Sequence, residues 1–150
     1  MQAWPMRVLG ALNLAFVALG AMYATRMLQM RWNNWPGSPN YQEWAVFLVL
    51  NAISIFMILY LGRLGLRLIG KDAEALWKSC ILFLGELGYF AAVFYVTSFV
   101  LPDSMPTATA AFWGMALNPL LPQFLTGYPL VGLVFAMVIL LIRRSPPGAY

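Results

Sequence analysis

The chain has 150 residues, 62% of them hydrophobic and only 9% charged, with a mean hydropathy of +0.75. Soluble domains average roughly 45–50% apolar and 25% charged residues, so a soluble fold has too little polar surface to cover this composition. The net charge of +4 comes from nine Lys and Arg against five Asp and Glu. These cations sit in small groups at the ends of apolar runs, a pattern of membrane orientation and not of nucleic-acid binding.

The first apolar run, from about Val8 to Leu28, follows Arg7 as the core of a signal peptide would. It is longer than such a core and no small-x-small cleavage site follows, so it reads as a retained first membrane helix. The stretch RWNNWPGSPNYQEW then carries turn formers and aromatics, with Trp32, Trp35, Tyr41 and Trp44 expected at headgroup level. A second span is predicted from about Trp44 to Ile69, unbroken by proline and leaving the membrane through GRLGLRLIGK. KDAEALWKS reads as a tight polar connection, and a third span runs from about Cys80 to Val100, where LPDSMP stops it.

The segment from Asp103 to Pro129 is apolar but interrupted by Pro119, Pro122, Gly127 and Pro129. The clean run Leu130 to Ile142 makes only about 20 Å of helix, short of a hydrocarbon core of about 30 Å. A fourth span must therefore start earlier, at residues 119–123, and carry a kink near Gly127-Tyr128-Pro129. A short helix or irregular segment around Ala110 to Leu117 is expected before it. The predicted fold is an all-α, polytopic bundle of four antiparallel membrane helices in one domain, with spans of about 8–28, 44–69, 80–100 and 120–142. Arg143 and Arg144 close the last span.

With the N-terminus in the cytoplasm, that side holds Arg7, Arg63, Arg67, Lys71, Lys78, Arg143 and Arg144, and the other side only Arg26 and Arg31. Seven cations against two predicts that both termini are cytoplasmic.

The chain has no histidine, which removes the commonest metal ligand and the most frequent general acid or base together. Its single cysteine, Cys80, has no partner for an intrachain disulfide and reads as a small buried hydrophobe. Nucleotide, hydrolase and metalloprotease motifs are absent from the sequence. No cofactor or metal site is expected, and the six tryptophans, seven tyrosines and ten phenylalanines are accounted for by interfacial belts.

Polar residues inside the spans are the remaining candidates. Glu86 lies about 12 Å inside the third helix counting from Lys78, and Arg63 lies at matching depth before Lys71 on the second. An intramembrane carboxylate normally faces the bundle and finds a partner, so Arg63 is the expected counter-ion and Arg67 the second candidate. Asn13 falls in the same layer and completes the expected cluster. Two readings stand for it: a clamp between helices, or a proton or ligand site. Asn118, Gln123 and Thr126 line the proline-broken segment and are possible ligand-lining residues. Ala11, Ala15 and Ala18 on the first helix and Gly85, Gly88 and Ala92 on the third allow close helix approach, inside the bundle or against another subunit.

No set of residues here supports a reaction, so the sequence favours a non-enzymatic accessory or scaffold subunit of a larger membrane assembly. Its expected partners are the lipid bilayer, other membrane subunits and itself. A small oligomeric transporter, channel or lipid-binding protein is the alternative. Many small bacterial membrane proteins share this plan, a likeness of architecture that predicts no activity.

Overall fold

In the computed structural model, residues 4–33, 41–95 and 120–144 are described, and every regular element among them is a helix. In chain order these are α1 (Trp4–Asn33), α2 (Tyr41–Ile69), α3 (Ala73–Tyr95), α4 (Leu121–Leu125) and α5 (Tyr128–Arg144). Three of the helices are long and apolar enough to cross a membrane: Trp4–Arg26 within α1, Asn51–Ile69 within α2, and Ala73–Tyr95. The end of the predicted third span at Val100, the segment 110–117, Asn118 and the side chains of Trp32, Trp35, Tyr41 and Trp44 lie outside the described residues.

Residue polarity is inverted relative to a soluble protein. Phe56 is 67% exposed and Leu125 74%, whereas Asn13, Ser54, Ser79, Glu86 and Gln123 are wholly buried. Apolar side chains on the outside lose nothing in lipid, while polar groups must find partners inside. The buried positions repeat at helical spacing. Leu61, Leu64 and Leu68 form one stripe on α2, and Leu76, Phe83, Glu86, Phe90 and Val93 one stripe on α3.

α1 packs most extensively on α2, and α3 on α5. Glycine makes both contacts possible. A Cβ at Gly10 would stand 2.6 Å from the Gly65 carbonyl oxygen, and one at Gly65 would stand 2.9 Å from that of Gly10. On the other side a Cβ at Gly132 would meet the buried Phe83 ring at 2.7 Å. The small residues expected at such crossings face outward instead: Ala11, Ala15, Ala18, Gly85, Gly88 and Ala92 are all exposed. Their spacing is right for close packing, but they lie off the stripes that the large buried residues define.

Several boundaries differ from the sequence reading. α1 continues past Leu28 to Asn33, since no Gly or Pro interrupts the chain there, and α2 starts at Tyr41 ahead of Trp44. The connection expected over 71–79 shrinks to Gly70–Asp72, because Asp72 starts α3. Its Oδ1 accepts from the Glu74 N–H at 2.9 Å, and its carbonyl from the Ala75 N–H at 3.3 Å. α2 closes with the Asp72 N–H on the Arg67 carbonyl and the Lys71 N–H on the Leu68 carbonyl, both at 3.0 Å. This is a Schellman closure in which Lys71, with φ 66°, takes the left-handed position one residue after Gly70.

Arg67 fastens the same turn. Its Nε donates to Asp72 Oδ2 at 2.6 Å and its Nη2 to Glu74 Oε2 at 3.0 Å, while Lys78 Nζ reaches Glu74 Oε1 at 2.7 Å. The Arg67 guanidinium, with help from the Glu74 N–H, holds the Asp72 carboxyl below its ordinary value of 3.8.

Pro122 and Pro129 stand where helices begin, and Pro119 lies outside the described residues. Pro122 stands in the first turn of α4 and Pro129 in that of α5, where the missing N–H is no loss. Between them Thr126 ends α4 and Gly127 turns the chain at φ 67°. The Gly127 carbonyl then accepts the first bonds of α5, from Leu130 at 3.2 Å and Val131 at 3.1 Å.

Two outcomes follow from this packing. Gly10→Ala should destabilise the bundle by about 1–3 kcal/mol through overpacking, whereas Gly88→Ala, with nothing within 4 Å of the added carbon, should be neutral or stabilising by up to about 1 kcal/mol. Reversible unfolding in mixed micelles measures both. Because Asp72 has a depressed native pKa, its contribution to stability should be complete above the ordinary value of 3.8 and vanish as pH falls through the lower native pKa. Asp72→Asn, which keeps a capping side chain, should lose this acid-side dependence when unfolding is followed against pH.

Candidate functional site

The buried stripe of α3 carries Glu86 to the place where α1, α4 and α5 also arrive. There the Gln123 amide of α4 meets the carboxyl end-on. With its nitrogen toward Glu86, the orientation that satisfies an ionised carboxylate, Gln123 donates to Oε2 at 2.9 Å and Oε1 at 3.2 Å. With its oxygen toward Glu86 the same contact suits a protonated carboxyl, which donates, although the amide nitrogen then faces only donors. Both side chains are wholly buried.

A second pair adjoins the first. The Tyr128 hydroxyl, at the start of α5, donates to Asn13 Oδ1 on α1. Its ring is clamped by Phe16, stacked with centroids 4.0 Å apart, and by the edge of Phe83 at 5.5 Å. Tyr128 also lies within electrostatic reach of Glu86. Asn13 packs against the α1–α2 crossing, its Cβ being 3.1 Å from where a Gly65 side chain would begin. The Asn13 amide nitrogen is buried and has no hydrogen-bond partner among the described residues. One turn further along α3, Tyr89 and Ser54 of α2 share a buried hydrogen bond of 2.8 Å.

The expected Glu86–Arg63 pairing is not formed. Leu61, Leu64 and Leu68 define the buried face of α2, and Arg63 lies roughly opposite it at about 100° per residue, on the exposed side. Arg67, the second candidate, is engaged with Asp72 and Glu74. Matching depth placed the charges in one layer but took no account of rotation about the helix axis. Asn13 is buried and accepts a hydrogen bond from the Tyr128 hydroxyl. Gln123, not Arg63, is the side chain in contact with the Glu86 carboxyl. Thr126 is exposed and returns its hydroxyl to the Pro122 and Gln123 carbonyls at 2.9 and 3.0 Å, finishing α4.

Tyr128 is the member that sequence reasoning overlooked. A tyrosine buried at a helix start needs a partner for its hydroxyl, and that requirement was the available signal. Cys80 is buried, as expected of a small hydrophobe. In chemical terms the cluster offers a carboxyl, an amide that can serve either of its protonation states, a phenol and one unused N–H donor. No protein family, curated protein or solved structure matches this chain.

Gln123→Met, which keeps volume but removes the donor, and Tyr128→Phe should each destabilise the bundle by about 1–2 kcal/mol, the range of interhelical hydrogen bonds in membranes. Arg63→Ala should change it by less than about 0.5 kcal/mol, as for a surface site. Unfolding equilibria in lipid bicelles measure all three, and an Arg63→Ala loss as large as that of Gln123→Met would reinstate the ion pair.

Proposed function

We propose that the chain is a multi-pass integral membrane protein and a non-enzymatic accessory or scaffold subunit of a membrane assembly. In this reading α4 and α5 together make a fourth, broken crossing, and both termini and the Gly70–Asp72 turn face the cytoplasm. α5 alone has 17 residues, about 26 Å of helix against a hydrocarbon core of about 30 Å, so the extra turn of α4 supplies the missing length.

The observation that carries the scaffold reading is a division of labour among small residues. The glycines at the internal crossings are Gly10, Gly65 and Gly132, whereas Gly85, Gly88 and Ala92 of α3 and Ala11, Ala15 and Ala18 of α1 are turned outward. An added carbon at Gly88 meets nothing within 4 Å. Such faces suit helices of another subunit or another copy of this chain, because membrane helices associate through close backbone approach. The second reading is a small oligomeric transporter, channel or lipid-binding protein. It is favoured by the buried Glu86–Gln123 pair and the unused Asn13 donor beside the α4–α5 break.

Two measurements test these readings. A Cys80→Ser, Lys71→Cys variant should react with an impermeant thiol reagent only from the cytoplasmic face, and labelling from the opposite face would reverse the topology. Purified in mild detergent, the native chain should bring down a distinct membrane subunit or a second copy, cross-linked through Gly88→Cys on the Cys80→Ser background. A monomer holding a bound small molecule would replace the scaffold by the second reading.

A further inference from the structure

Glu86 presents a specific chemical problem. An ionised carboxylate among apolar side chains carries a large desolvation penalty unless a cation or several donors offset it. Here the described cations are elsewhere. Arg63 is exposed on α2, and Arg67 is bonded to Asp72 and Glu74. The groups that do face the cluster are uncharged: Asn13 from α1, Gln123 from α4 and the Tyr128 hydroxyl from α5. On α3 itself the nearest titratable neighbour along the stripe is Tyr89, which is hydrogen-bonded to Ser54.

Gln123 is a partner of a particular kind. An arginine or lysine would suit only the carboxylate, and a backbone carbonyl only the carboxylic acid. A primary amide presents N–H donors at one corner and a carbonyl acceptor at the other, so half a turn about its last bond exchanges them. The heavy-atom separations of 2.9 and 3.2 Å from Glu86 Oε2 and Oε1 accommodate N–H···O or, at the shorter contact, O–H···O geometry.

We propose that Glu86 is a proton-binding site inside the bundle and that the Gln123 amide turns over as the proton arrives and leaves. In the ionised state the Gln123 nitrogen donates to the carboxylate. In the protonated state Glu86 Oε2–H donates to the Gln123 oxygen. The step forms one O–H bond at Oε2 and breaks one in the hydronium ion that delivers the proton, leaving water, and it changes the charge of the cluster from minus one to zero. Gln123, the group that responds to the proton, sits on a five-residue helix joined to α5 through Thr126 and the left-handed Gly127. The proposal is independent of the scaffold reading: it concerns the isolated chain, whereas the scaffold reading concerns what the chain assembles with.

Infrared titration tests it, because a carboxylic acid has a C=O stretch that a carboxylate lacks. The full chain is reconstituted in neutral-lipid nanodiscs and followed between about pH 5 and pH 10, a range wide enough for buried carboxyls. Isotopically labelled glutamate marks the three glutamates, Glu43, Glu74 and Glu86, and a Glu43→Gln, Glu74→Gln variant leaves Glu86 as the sole label. The expected result is one reversible carboxyl band per chain that titrates in the native protein and survives in that variant. Glu86→Gln should abolish it. Gln123→Met should raise its midpoint by about one pH unit, the difference between a hydrogen bond to a charged group and one between neutral groups, and Arg63→Ala should leave the midpoint in place. Absence of a titrating band from the sole-glutamate variant, or a midpoint indifferent to Gln123→Met, overturns the proposal, and neither readout requires Glu86→Gln to fold.

Discussion

Glu86 and Gln123 meet where α1, α3, α4 and α5 converge, and that contact fastens α4 to α3. A wholly buried carboxyl is cut off from water, so the interior must provide its hydrogen-bond partner. Among the described residues it comes from α4, a helix of five residues that would have little stability alone. The buried amide gives this short helix a fixed seat on α3. Tyr128 does the same for the start of α5 by bonding Asn13 on α1. Two hydrogen-bonded pairs thus tie each side of the Gly127 break to a different long helix.

Those contacts would be out of reach if the long helices stood at ordinary separation. Gly10 and Gly65 bring the α1 and α2 backbones together, and Asn13 sits one turn beyond Gly10 on the same face. Gly132 admits the Phe83 ring on the other side, and Phe83 in turn supports Tyr128 edge-on. Backbone proximity, aromatic packing and the polar pairs are therefore one arrangement. The Arg67–Asp72–Glu74 set fixes the α2–α3 turn independently, at the end of the bundle and in contact with solvent.

Much of this was legible in the sequence, and what was missed has a physical reason. The long apolar helices, the burial of Glu86 and Asn13 and the interest of Gln123 all follow from hydropathy and from the penalty on intramembrane polarity. Pairing Glu86 with Arg63 failed because residue counting gives depth along an axis, while contact also requires the right rotation about it. The stripe Leu61, Leu64, Leu68 carried that information and points Arg63 outward. The same rotation decides between the two placements open to Gly85 and Gly88, which are exposed because the buried stripe of α3 runs through Phe83, Glu86 and Phe90. The α2–α3 turn was drawn too long because charge was weighed above the capping potential of Asp72, a local rule that the sequence displays.

The proline-rich segment makes a different point. The kink or break expected between Pro119 and Pro129 corresponds to an interruption at Thr126 and Gly127, and Pro122 and Pro129 each stand in a first turn, the one place in a helix where a missing N–H is harmless. The deviation in direction therefore falls to Gly127, whose left-handed φ needs no side-chain compensation. A kinked helix would keep most of its hydrogen bonds across the bend and couple its halves stiffly. Two capped pieces joined at a glycine are coupled more weakly, so their relative orientation rests on what each piece binds. Here one side of the joint holds an amide on a carboxyl and the other a phenol on an amide. Changing the hydrogen-bonding state of either pair alters one anchor of the joint while the other stays in place.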